Sequence, residues 1–180
     1  KNINMSVKES LAQFKPVIQT ALAQGVSMRG FISTCFYCPY EGYVYPEQVR
    51  PVVEALLELG VDEVSLGDTI GKAEPKDIEL LLLVLENAGF LKRQLALHCH
   101  DTYGQAFGNI QKALDMGITT FDSSAGGIGG CPYAPGASGN VSTESLVTLL
   151  QDRGYSNLPS LKALQDAALL IKRYIHHFRA

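Results

Sequence analysis

No run of about 18 uninterrupted apolar residues, the length a helix needs to cross a bilayer, occurs in the chain, so no membrane-spanning helix and no membrane partner are expected. Nor is there a dense run of lysine and arginine. Fifteen basic residues against 18 acidic ones leave a formal net charge of -3, which is the wrong electrostatic footprint for a nucleic-acid binder. The opening residues KNINMSVKES lack the basic head and apolar stretch of a secretory signal, so export is not expected. Cysteine is sparse. Cys35, Cys38, Cys99 and Cys131 do not form the framework of a small disulfide-stapled domain, which points to a reducing compartment and to thiols valued for their chemistry. What is present, 180 residues that are 46% hydrophobic, suffices for one domain over residues 1–180 with a sizeable core.

One arrangement recurs along the chain: a helical pattern closing at a glycine, then a short β-rich run. The junctions are ALAQGVSMRGFIS, LLELGVDEVSLGDT, ENAGFLKRQLALHCHD and LDMGITTFDSSAG. Amphipathic segments over 6–24, 46–59, 75–88 and 104–116 precede them, with apolar residues at helical spacing. Pro46 and Pro75 suit first helical turns. Gly25, Gly60, Gly89 and Gly117 suit the helix C-terminal position that needs positive φ. Strands are expected to begin near Val26, Val61, Arg93 and Ile118, with no hairpin turn between them, so they pair in parallel through helical crossovers. Helices over 143–153 and 160–179 close the chain. The second carries Leu161, Leu164, Ala168, Leu169 and Ile171 as a packing stripe, while His176 and His177, adjacent and about 100° apart on a helix, are expected at the surface.

Parallel α/β folds place functional groups at the C-terminal ends of strands. Arg29, Asp68, His98, His100, Asp101 and the loop from Ser123 to Asn140 all fall on or after the expected strand ends. In LALHCHDTYG, strand alternation sends His98 and His100 to one face and Leu97 and Cys99 to the other, so the imidazoles form a candidate metal-binding pair. Two polar tips emerging at a strand end is the alternative. The loop SSAGGIGGCPYAPGASGN lacks the Lys of a nucleotide P-loop; its glycines suit close approach to a ligand or movement as a lid, and Cys131 within it is a candidate reactive thiol. The pair Cys35 and Cys38 has no second CxxC to complete a zinc ribbon, and a structural or substrate-loop role is expected for it.

Together, VSLGDTIG, LHCHDTYGQA, DSSAGGIGGCPYAPGASGN and CPYEG resemble the signature segments of the hydroxymethylglutaryl-CoA (HMG-CoA) lyases, in the same order. The resemblance implies a metal-dependent (β/α)8 TIM barrel of the pyruvate-carboxyltransferase type. Four αβ units are too few for eight strands, so the chain is expected to hold the second half, strands five to eight, with the C-terminal helices. It also implies a carbon-carbon lyase that cleaves 3-hydroxy-3-methylglutaryl-CoA to acetyl-CoA and acetoacetate, as in leucine catabolism and ketone-body formation. By the same resemblance His98, His100 and Asn140 are ligands of Mg2+ or Mn2+, Cys131 is the catalytic cysteine of a mobile loop with Gly129 and Gly130, and Asp68 handles substrate. The family's fourth ligand, an aspartate beside a catalytic arginine in the first barrel strand, and an upstream glutamate have no match here.

The chemistry suits these residue types. Retro-Claisen cleavage needs loss of the C3 hydroxyl proton and a stabilised thioester enolate; a hard divalent ion acidifies the hydroxyl, His98 can shuttle its proton, and Cys131 can supply one as the loop closes. Asp101 and Asp122 are candidates for orienting the imidazoles, or for simple strand-end roles. Two rival readings stand beside the lyase. One is a condensing acyltransferase resembling isopropylmalate and homocitrate synthases, against which Cys131 discriminates, and the other is a non-catalytic fragment. The expected partners are an acyl-CoA thioester and a second copy of the chain in a dimer. The expected location is the cytoplasm of a bacterium or the mitochondrial matrix of a eukaryote.

Overall fold

The computed structural model describes residues 4–129 and 139–178, with side chains to residue 175. Six helices alternate with short strands: α1 Val7–Ala23, β1 Arg29–Ile32, β2 Tyr37–Cys38, β3 Gly42–Tyr43, α2 Pro46–Glu58, β4 Glu63–Asp68, α3 Pro75–Asn87, β5 Leu95–Cys99, α4 Ala106–Asp115, β6 Phe121–Asp122, α5 Thr143–Asp152 and α6 Leu161–Phe178. Local chemistry fixes the helix starts. Ser6 accepts from the Glu9 amide while the Glu9 carboxylate accepts from the Ser6 amide, a reciprocal cap for α1, and Pro46 and Pro75 open α2 and α3 where a missing N–H costs nothing.

The helix ends explain why β1, β4 and β6 begin two or three residues later than the sequence suggests, whereas before β5 a short 3-10 turn at Lys92–Gln94 moves the start from Arg93 to Leu95. At Gly25, Gly60, Gly89 and Gly117 φ is positive, and the amide of the next residue donates back to the helix: Val26 to Ala21, Val61 to Leu56, Phe90 to Leu85 and Ile118 to Ala113. These are Schellman caps, whose apolar residue after the glycine packs against the last helical turn. Val61 and Ile118 are accordingly buried. At Val26, Val61 and Ile118, what looks like the first residue of a strand is the last clasp of a helix.

Strands β1, β4, β5 and β6 form one parallel sheet in that order, with Arg29 opposite Glu63, Gly67 opposite His98, Asp68 opposite Cys99 and His98 opposite Asp122. Val64, Leu66, Leu95, Leu97 and Cys99 face the helices and are buried with Val53, Leu81, Leu85 and Ile110 in one core. The opposite face is polar. On it Arg29, from one edge strand, meets Asp122, from the other, at 2.6 Å. Flat strands at about 4.8 Å spacing would hold the two edges roughly 14 Å apart. The sheet must therefore curl around its polar face, as the wall of a barrel does.

Three expectations are corrected. Arg29 is the first residue of β1, at the N-terminal end of its strand, because the Schellman clasp delays the strand. A hairpin does occur: β2 and β3 pair antiparallel across residues 39–41, with φ of +79° at Gly42 where β3 begins, and the Tyr37 and Tyr43 rings meet edge-on at 5.2 Å. On α6, Leu161, Leu164 and Ala168 keep the inward stripe, but Leu169 is 56% exposed because it falls one residue off that repeat, and Ile171 is also exposed. The side chains of His176 and His177 lie outside the described residues. No helix among the described residues is long and apolar enough to cross a membrane.

Candidate metal centre

Alternation along β5 and into the residue after it puts the His98 and His100 rings on the polar face, with centroids 5.2 Å apart, while Cys99 between them is buried toward the helices. Asn140 joins them through backbone pairing. An isolated antiparallel bridge links His100 to Asn140, the Asp101 amide donates to the Gly139 carbonyl at 2.8 Å, and the Ser124 amide donates to the Val141 carbonyl at 3.0 Å. The segment after the glycine loop is thus laid across the ends of β5 and β6. There the Asn140 side-chain nitrogen donates to the Ile128 carbonyl at 3.1 Å, which turns its Oδ1 the other way.

Two buried polar atoms at this place have no hydrogen-bond partner: Asn140 Oδ1 and His100 Nδ1. Orphaned buried acceptors cost free energy unless something satisfies them. Burial, and then the neighbouring His98, lower the pKa of His100, so its ring stays neutral and keeps a lone pair for a cation. Two imidazoles and an amide oxygen fit a divalent ion as a partial ligand set. Among the described residues, no group of three or more His, Cys, Asp or Glu side chains could hold a metal ion by itself.

Beneath the imidazoles lies a charged layer. Asp122 Oδ1 accepts from Arg29 Nη1 at 2.6 Å, Oδ2 accepts from Ser65 Oγ at 2.5 Å, and the same Oδ2 stands 3.7 Å from His98 Nδ1. Arg29 also pairs through Nε with Glu63 at 2.6 Å. Burial opposes ionisation of Asp122, but His98, Ser65 and Arg29 together outweigh it and hold the carboxyl well below the usual range. Glu63 and Ser65 carried no sequence signal of their own. They become visible once the β4 register is known, because Glu63, Ser65 and Gly67 share the face that carries His98.

Asp68 is not brought to the imidazoles. It pairs in register with Cys99 on the helix side, fully buried, and its carboxylate accepts from the Lys72 and Ala73 amides at 3.1 and 3.2 Å. Burial raises its pKa to about 6 against those hydrogen bonds. Asp101 accepts from the Ala106 amide at 3.1 Å, at the start of α4. The Cys35 thiol is buried, donates to the Ile32 carbonyl and is pushed up to about 12 by burial, which makes it an unreactive packing group; Cys38 and Cys99 are also free. Gly129 lies against Asn140, whereas Gly130 and Cys131 lie outside the described residues.

Residues 1–171 match the HMGL-like family. A curated HMG-CoA lyase from Bacillus subtilis is 49% identical over 172 residues, which are 96% of this chain and 57% of the relative. The chain belongs to the HMGL-like family. The solved HMG-CoA lyase of Bacillus subtilis superposes with a TM-score of 0.93 at 48% identity, covering 97% of this chain and 58% of that one. An HMG-CoA lyase from Acinetobacter baumannii, solved in complex with coenzyme A and 3-methylmalate, superposes with a TM-score of 0.84 at 34% identity over 93% of this chain and 54% of that one. The chain therefore spans little more than half the length of these HMGL-like relatives. Its curled four-stranded sheet is part of a TIM barrel like theirs, and its polar face is the barrel interior.

Proposed function

We propose that the protein to which this chain belongs is a divalent-metal-dependent lyase that cleaves 3-hydroxy-3-methylglutaryl-CoA to acetyl-CoA and acetoacetate. The observation that carries the reading is the pair of orphaned buried acceptors, His100 Nδ1 and Asn140 Oδ1, beside the His98 ring at the C-terminal end of β5. The 42–49% identity to HMG-CoA lyases supplies the reaction class. The coenzyme A bound to the Acinetobacter enzyme supports an acyl-CoA thioester substrate.

His98, His100 and Asn140 would hold Mg2+ or Mn2+, with a further carboxylate from an earlier barrel strand. The bound ion would supply Lewis-acid polarisation of the substrate's C3 hydroxyl. In a transient shuttling role, with its Nε2 lone pair not engaged by the ion, His98 takes the hydroxyl proton. As the C3 oxygen becomes the ketone of acetoacetate, the C2–C3 bond breaks and its electron pair passes to the thioester enolate. Cys131 then delivers a proton to C2, giving acetyl-CoA. Asp68 acts at a distance from the imidazoles, through the 69–73 loop that its carboxylate braces.

The test is acetoacetate release from the CoA thioester by the protein with its barrel complete. Activity should vanish on chelation, return with Mg2+ or Mn2+, and fall by at least about 100-fold in Cys131→Ala and in His98→Ala. A complete barrel supplied with either ion that releases no acetoacetate sinks the reading.

A further inference from the structure

Charged side chains inside a barrel are costly, because desolvation offsets much of their mutual attraction, and branched apolar residues usually fill that space. Here every strand of the parallel sheet sends a polar group to one cluster: Arg29 from β1, Glu63 and Ser65 from β4, His98 from β5 and Asp122 from β6. Asp122 is its hub. Its Oδ1 is held by Arg29, and its Oδ2 is held by Ser65, whose hydroxyl must be the donor because an ionised carboxylate only accepts. The remaining neighbour of Oδ2 is the ring nitrogen Nδ1 of His98.

We propose that Asp122 is a positioning residue that fixes the tautomer and ring orientation of His98, with Arg29 and Ser65 serving as the clamps that aim its carboxylate. The inference rests on the metal-centre reading for its purpose, but not for its geometry. An acceptor facing Nδ1 selects the ring form with its proton on Nδ1, which leaves the Nε2 lone pair free to bind a cation. At 3.7 Å the contact is longer than a hydrogen bond, and a shift of well under 1 Å closes it. Arg29 and Ser65 hold the carboxylate from two sides, so closure falls to the imidazole, whose side chain is 30% exposed and free to tilt. His100 has no such acceptor, since its Nδ1 is without a partner. The two imidazoles are therefore not equivalent: one is oriented by a carboxylate and the other by its packing.

The direct measurement is long-range nitrogen–proton NMR of 15N-histidine-labelled full-length protein, metal-free and above the imidazole titration, with His98 assigned by a His98→Gln reference. His98 should be mainly the Nδ1–H form in the wild type. It should shift toward the Nε2–H form common for imidazole in water in Asp122→Leu, and partway in Asp122→Asn, whose amide oxygen can accept but carries no charge. Mn2+ affinity should fall about 10- to 100-fold in Asp122→Leu and less in Asp122→Asn. Should Asp122→Leu fail to fold by circular dichroism, the isosteric Asp122→Asn decides alone. An unchanged His98 tautomer in a folded Asp122 variant overturns the inference, as does a wild-type ring already in the Nε2–H form. A protein without lyase activity that still shows the Asp122-dependent tautomer would remove the proposed reaction and leave the positioning role intact.

Discussion

Asp68 is a carboxylate with no exposed surface that accepts hydrogen bonds from the Lys72 and Ala73 amides. Burial outweighs the amides and raises its folded pKa from the ordinary 3.8 to about 6. Between those values the folded chain keeps a proton that the unfolded chain has released, so raising the pH through this window removes stability; above it the loss is complete and the curve flattens. A rise of that size corresponds to about 3 kcal/mol at most. Asp122, held below its ordinary pKa, pulls the opposite way, gaining stability as pH rises and losing it as pH falls toward its depressed folded value. Comparison with Asp68→Asn isolates the Asp68 part. In urea unfolding, wild-type stability minus that of Asp68→Asn should decline between pH 4 and pH 7. A difference that stays flat across this range would show that Asp68 ionises normally.

Short connecting segments, more than the helices and strands, decide what the site looks like. Helices, parallel pairing and the facing of His98 and His100 away from Cys99 were legible because periods of 3.6 and 2 are written directly in the apolar pattern. Strand starts were misplaced because Val26, Val61 and Ile118 satisfy a strand pattern and a Schellman cap equally well, and only the hydrogen bonds to Ala21, Leu56 and Ala113 tell them apart. The Arg29–Asp122 contact was beyond reach because it depends on sheet curl, and no local window encodes curl. Asn140 entered by resemblance alone; its place follows from the pairing of 139–142 with the ends of β5 and β6. Gly129 lets that crossing happen. It has φ of +118°, and a Cβ there would lie 2.5 Å from Asn140 Nδ2. Gly129→Ala should displace the amide that aims Oδ1, weakening divalent-ion affinity about tenfold or more while costing only about 1–3 kcal/mol of folding stability. Mn2+ titration followed by electron paramagnetic resonance, beside a thermal melt, checks both, and an unchanged affinity would show that Asn140 does not need this close approach.

A curled sheet with an open edge at β1 has an unmet demand at the scale of the whole sheet. Among the described residues nothing pairs with the outer edge of β1, and beside that edge Phe14, Val17 and Phe31 stand exposed, Phe31 at 64%. Phe31 is on the barrel-interior face, stacked under the Arg29 guanidinium at 5.0 Å, so it is an interior residue without an interior. Open strand edges and contiguous apolar surface drive association in water. This chain covers only 57% of the HMG-CoA lyase from Bacillus subtilis, and the barrel of the solved lyases supplies the geometry of closure. The 180-residue chain by itself should therefore bind a hydrophobic dye such as ANS and sediment as oligomers at micromolar concentration. Phe31→Glu should reduce both, because a charge on the open edge repels a second copy and does not disturb the helix-side core. Extension upstream to a full barrel should reduce both further while leaving Phe31 in place, since new strands would then cover it. If the isolated chain proves monomeric by sedimentation velocity and dark to the dye, its β1 edge is covered in some other way, and the polar cluster around Asp122 must be stable without the other half of the barrel wall.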